Sequence, residues 1–119
     1  MGVRKQVRIR RVYDDAAESD GTRVLVDRIW PRGLTKERAA VDVWLKEVAP
    51  STELRKWFGH DPARWKEFEA RYRIELDRNT DAIAQLRELF AAGPVTLLYG
   101  ARDESHNDAV ALLGYLDAG

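Results

Sequence analysis

The sequence predicts an α/β fold: a small three-layer-like domain with a short, mostly parallel sheet of three strands flanked by about five helices, in the order β-β-α-α-α-β-α. Three observations carry this. Apolar runs with β-branched residues stand at 23–27 and 95–99, as in strands buried on both faces. The stretch between them repeats apolar residues every three or four positions, which is the helical period. A strand that follows a helix and precedes another runs parallel to its neighbour. The 23–27 and 95–99 strands are therefore expected side by side, with their C-terminal ends together.

In chain order, the first strand is read from Gln6 to Tyr13, where Val7, Ile9 and Val12 alternate with basic residues at the period of a half-buried strand. An acidic stretch ending in Asp20-Gly21 follows; it is long enough for a hairpin or a shortened crossover, so the direction of the second strand, Arg23 to Asp27, stays open. Pro31-Arg32-Gly33-Leu34 breaks that strand. Thr35 is expected to cap a helix whose stripe is Ala40, Val41, Trp44, Leu45 and Val48, ended by Pro50. Ser51 caps a short helix through Leu54, Trp57 and Phe58 that Gly59 terminates. Asp61-Pro62 restarts a long amphipathic helix through Trp65, Phe68, Tyr72 and Leu76 to about Arg78. Ile83, Leu86, Leu89 and Phe90 form the next apolar face, and Gly93-Pro94 stops it. After the third strand, Val95 to Tyr99, Ser105 is expected to open the last helix, with Asp108 completing a capping box.

The length of 119 residues suits one domain over the whole chain. Hydrophobic residues at 45% supply a core. The absence of cysteine excludes disulfides, thiolate nucleophiles and iron–sulfur chemistry, and it fits a reducing cytoplasm. The first residues are basic with no apolar run behind them, and no stretch approaches a membrane span, so neither secretion nor membrane insertion is expected. Twenty basic and twenty acidic residues cancel, which speaks against broad duplex nucleic-acid binding. Residues 1–38 nevertheless carry ten Lys or Arg against six Asp or Glu, a local positive bias.

In open α/β sheets, ligands bind beyond the carboxyl ends of the strands. Two loops should meet there, 27–33 and 100–107. Arg28 and Arg32 are planar donors suited to a phosphate or carboxylate, Pro31 stiffens the turn, and Gly33 permits a positive φ. Trp30, Tyr99 and Asn107 are further candidates to contact a ligand. His106 can carry a proton, with Asp27 or Asp103 to orient it. The catalytic candidates are therefore His106 and Asp27, and the binding candidates are Arg28, Arg32, Gly33, Trp30, Tyr99 and Asn107. Trp57-Phe58-Gly59-His60-Asp61 reads as a helix hairpin or as a lid over the strand ends. Two histidines without cysteine give thin metal ligation, and no nucleotide or hydrolase motif is present, so no metal or cofactor is expected. Two readings follow: an enzyme acting on a phosphate- or carboxylate-bearing small molecule or nucleotide, or a non-catalytic module that binds such an anion, a nucleic-acid end or a partner protein.

The phrases RVYDDAAESDGTRVLVDRIWPRGL, DVWLKEVAPSTELRKWFGHDPARWKEFEARY and GPVTLLYGARDESHNDAVALLGYL occur in order over nearly the whole chain. In them the sequence resembles the YeaO-like branch of the bacterial family called domain of unknown function 488. The resemblance implies an α/β fold with a helix between the first two strands. By position, the family's segment after the second strand falls on Val26, Asp27, Arg28, Pro31 and Arg32, and its segment after the last strand falls around His106. It favours parallel first and second strands, with the crossover helix shrunk to residues 14–22. The branch pattern has a second histidine after Asn107, where this chain has Asp108, so a mechanism needing that second imidazole does not carry over.

Overall fold

The computed structural model describes residues 7–118, so Gln6, the expected start of the first strand, lies outside the described residues. Four strands form the sheet: β1 (Val7–Arg11), β2 (Thr22–Leu25), β3 (Val43–Trp44) and β4 (Val95–Tyr99). Their spatial order is β1-β4-β2-β3, with every pairing parallel. The expected neighbours β2 and β4 do pair, with Val24 opposite Leu97. β1 and β2 point the same way, but β4 lies between them.

The helices are α1 (Lys36–Ala39), α2 (Thr52–Phe58), α3 (Trp65–Arg78), α4 (Thr80–Ala92) and α5 (Asp108–Ala118). The order is thus β-β-α-β-α-α-α-β-α, and the expected three-strand string is corrected by one strand and one helix. The helix count differs because the four helical segments read between Thr35 and Gly93 count as three in that string; the strand falls where a single long helix was expected after Thr35. Thr35 does cap it, accepting from the Arg38 amide at 3.1 Å, but Ala40 is left-handed at φ 50° and ends it after one turn. The chain then has a better partner. The Asp42 amide donates to the Arg23 carbonyl and the Leu45 amide to the Leu25 carbonyl, both at 2.9 Å. The buried Arg23 guanidinium ties up the Ala39 and Ala40 carbonyls that a longer helix would use. The β-branched Val41 and Val43 favour the strand as well. Trp44, read as core, stays 38% exposed on this edge strand.

The crossover at 14–22 holds only a 3-10 turn, Glu18–Asp20. Buried Asp20 anchors it by accepting from the Ala17 amide, Arg10 and Arg23. Alternation along the strands sorts the side chains to two faces. Val24, Val26, Val95, Leu97 and Tyr99 meet the large core beneath α2 to α5. Leu25 and Leu98 join Val12 and Ala39 in a smaller cluster covered by α1 and the 27–41 segment, where Trp30 and Leu34 pack.

Candidate functional site

Because the strands are parallel, the β2 and β4 ends deliver Asp27 and Gly100 to the same edge. The ladder continues one step past β2, with the Val26 amide donating to the Leu98 carbonyl at 3.1 Å. The Gly100 amide then donates to Asp27 Oδ2 at 2.8 Å. A Cβ on Gly100 would stand 3.1 Å from that oxygen, so the glycine lets the two strand ends close on each other.

Over this junction lies a cavity of about 230 Å3. Asp27, Arg28, His106, Asn107 and Asp108 contribute its polar lining, and Phe58 and Phe68 its aromatic wall; Arg55 and His60 stand on the α2 side. The α2 helix reaches this place because Ser51 caps it, accepting from the Leu54 amide at 3.1 Å, and because Gly59 ends it in a left-handed turn. His60 follows at φ 58°, a conformation few residues other than glycine adopt readily.

Arg28 is held from behind. Its Nε donates to the Pro50 carbonyl and its Nη2 to the Ala49 carbonyl, each at 3.1 Å, so the second guanidinium amine, Nη1, remains for a ligand. His106 is positioned by Asp103: Nδ1 lies 2.9 Å from Asp103 Oδ2, while Oδ1 of the same carboxylate accepts the Ser105 and His106 amides. The Ser105 amide first, and then the His106 ring, hold the Asp103 carboxyl below its ordinary range, so at neutral pH it is a carboxylate and His106 Nδ1 donates to it. That leaves Nε2 for a ligand. The imidazole also meets the Trp65 ring edge-on at 5.2 Å between centroids.

The last helix starts later than expected. Asn107 caps it, with Oδ1 accepting from the Val110 amide and Nδ2 donating to the Asp103 carbonyl, both at 3.0 Å. Ser105 belongs to the preceding turn, and Asp108 is the first helical residue. The Asp108 carboxyl is pushed well above the usual range, by desolvation first and then by the charge of Asp27 and a hydrogen bond with it. Among the described residues, no arginine, lysine or histidine lies within ion-pair distance of either carboxyl.

Of the expected site residues, the structure brings together Asp27, Arg28, His106 and Asn107 around the cavity. It does not bring the others there. Arg32 is exposed, and its backbone carbonyl accepts from the Tyr13 hydroxyl at 2.9 Å. Gly33 has the expected positive φ, 81°, but serves the turn. Trp30 packs on Trp44 at 5.5 Å and donates to the Leu34 carbonyl. Tyr99 is buried in the main core. The sequence reading missed Arg55, Phe58 and Phe68 as lining. His60 and Phe58 stood in the segment suspected as a lid, and the carboxyl at 108 was visible only as a helix-start acid.

A family model described as the inactive DUF488-N3 subclade matches residues 6–118. An uncharacterised protein of Mycobacterium tuberculosis (strain H37Rv) is 45% identical over 112 residues, covering 94% of each chain. The uncharacterised Escherichia coli K12 protein YeaO is 42% identical over 110 residues, covering 92% of this chain and 96% of its own length. No solved structure matches.

Proposed function

The chain belongs to the inactive DUF488-N3 subclade of the DUF488 family, and from that premise we propose that it is a non-catalytic binding module for a small phosphate- or carboxylate-bearing molecule. The ligand lies in the cavity at the strand ends. One observation carries the reading: Arg28, fixed by two backbone carbonyls with Nη1 left over, lines a 230 Å3 cavity together with Arg55 and His106, opposite Phe58 and Phe68. An arginine held in place before the ligand arrives loses little entropy on binding, which favours anion capture. At about 30 Å3 per water-sized unit, the cavity takes a molecule of roughly eight heavy atoms. The word "inactive" in the subclade's description favours binding without turnover.

A second reading, an acid–base enzyme on the same ligand, draws on the Asp103–His106 pair at 2.9 Å, the geometry of an oriented proton carrier. A thermal-shift screen of inorganic phosphate, sugar phosphates, carboxylates and nucleotides tests the proposal. Saturation a hundredfold above Kd adds about 2.7 kcal/mol of stability, a shift of several degrees. The shift should shrink strongly in Arg55→Ala and persist in Arg32→Ala, since Arg32 lies outside the cavity lining. No shift with any probe overturns the proposal. NMR of the incubated ligand separates the two readings, because unchanged ligand supports binding and conversion supports the enzyme.

A further inference from the structure

The cavity has a second chemical face that anion capture leaves unused. Asp27 and Asp108 both line it, one from the end of β2 and the other from the first turn of α5, and, after desolvation, Asp27 acts on the Asp108 carboxyl to raise it. Asp27 Oδ2 already accepts the Gly100 amide. The Ala109 and Asp108 amides serve the Asp108 carboxyl, but among the described residues no side-chain cation lies within ion-pair distance of either carboxyl, a costly arrangement for two neighbouring carboxyls when hydration is reduced. The charges facing it come from every element around the cavity. Arg28 follows Asp27 but spends two donors on Ala49 and Pro50. Asp103 and His106 pair with each other in the loop before α5. Tyr72 approaches from α3, its hydroxyl donating to the Val48 carbonyl. Its phenol is pushed well up by burial, then by Asp108, Glu75 and Asp27. Arg55 lines the α2 side. The protein thus presents arginine and imidazole donors and, in the same small space, a carboxyl pair that no side-chain cation among the described residues neutralises.

We propose that the ligand of this cavity is a small zwitterion, with its anionic group on the Arg28, Arg55 and His106 donors and an ammonium or amidinium nitrogen on the Asp27–Asp108 pair. This rests on the anion-binding reading above and narrows it to one ligand class. An ammonium donates up to three hydrogen bonds and so satisfies both carboxyls at once. Where the Asp108 carboxyl, held above its ordinary range, carries a proton, the ammonium displaces that proton to solvent. Binding of an amine that is already protonated therefore releases up to one proton, and binding of the same anion without the amine releases none from this pair.

Matched probes test this. Ethyl phosphate and 2-aminoethyl phosphate differ only by the ammonium group, as do pentanoate and 5-aminopentanoate. The first pair reads a phosphate end and the second a carboxylate end. Calorimetric titration of the wild-type protein at neutral pH should show the amine-bearing member of at least one pair binding tenfold or more tighter. Repeated in buffers of different ionisation enthalpy, the titration should also show proton release with that member alone. Asp108→Asn should abolish both the preference and the proton release while keeping the weaker binding of the plain anion; Asp27→Asn serves as the second variant, and circular dichroism confirms that both fold. Equal affinity within both pairs overturns the inference and leaves anion binding standing. A preference that survives in both variants overturns it as well. Binding of no probe overturns it together with the anion-binding reading.

Discussion

At the scale of single residues, Asp108 and Arg28 show how the candidate site departs from ordinary packing. Asp108 sits in its cavity with a carboxyl pushed well above the usual range by desolvation and by Asp27. Such perturbation is enriched where a protein binds or reacts rather than where it is merely held together. Its cost has a definite sign. A carboxyl whose native pKa is raised binds its proton more readily folded than unfolded. Its contribution is therefore fully present below the unfolded value of about 3.9 and is lost as pH rises through the raised native value. Asp108→Asn, which keeps a donor toward Asp27 and removes the titration, should raise the melting temperature at pH 7 to 8. The gain should fade toward pH 4; a thermal-denaturation series over pH reads this directly. Arg28 carries the opposite expectation. Its two hydrogen bonds satisfy the carbonyls of buried Ala49 and Pro50, and Arg28→Ala leaves them with no donor, costing about 1–3 kcal/mol in denaturant unfolding. A loss of binding in that variant is read only beside Arg55→Ala, whose side chain makes no such contact.

At the scale of elements, the structure rests on how the short pieces are stopped. Gly21 ends the compressed crossover at φ 64°, and a Cβ there would run into the Pro94 backbone, whose carbonyl accepts the Thr22 amide at 3.0 Å. Gly21→Ala should therefore destabilise by about 1–3 kcal/mol, from backbone strain and from displacement of the loop that leads into β4. A drop in the urea midpoint at unchanged m-value checks it. Elements with strong periodicity were legible in the sequence: Val95 to Tyr99, the stripe from Trp65 to Leu76, and the caps at Ser51 and Asp61 stand where the pattern put them. The 35–48 segment was not, because its apolar spacing suits a helix equally well. What decides it is long-range: the β2 ladder and the Arg23 guanidinium, seventeen residues from Ala40 along the chain, outcompete local propensity. The start of the last helix failed for a smaller reason. Ser105 and Asn107 are both good caps, and the Asp103 carboxylate takes the Ser105 and His106 amides into a turn of their own, leaving the cap to Asn107.

At the scale of the whole molecule, parallel strands place the ends of β2 and β4 at one edge, and the helical layer over the larger core supplies the far wall. Asp27, Arg28, His106 and Asn107 were foreseen because the sequence marks strand ends. Arg55 and Phe68 were not, and Phe58 stood only in a segment readable as a helix hairpin or as a lid, since local pattern does not decide whether α2 and α3 fold back over that edge. The same reasoning removed Arg32, which is close to Arg28 in sequence but is exposed, beyond a turn whose carbonyl Tyr13 holds. The account therefore stands on location: the cavity between the strand ends and α2 is where the proposed anion binds. Titration of nitrogen-15-labelled protein with inorganic phosphate and 2-aminoethyl phosphate, followed by two-dimensional amide NMR, tests it most directly. The account predicts saturable shifts concentrated at Arg28, Phe58, Gly100, His106 and Asn107, with little movement at Arg32 and Gly33. Shifts centred on the Arg32 turn, or no shift with either probe, would contradict it.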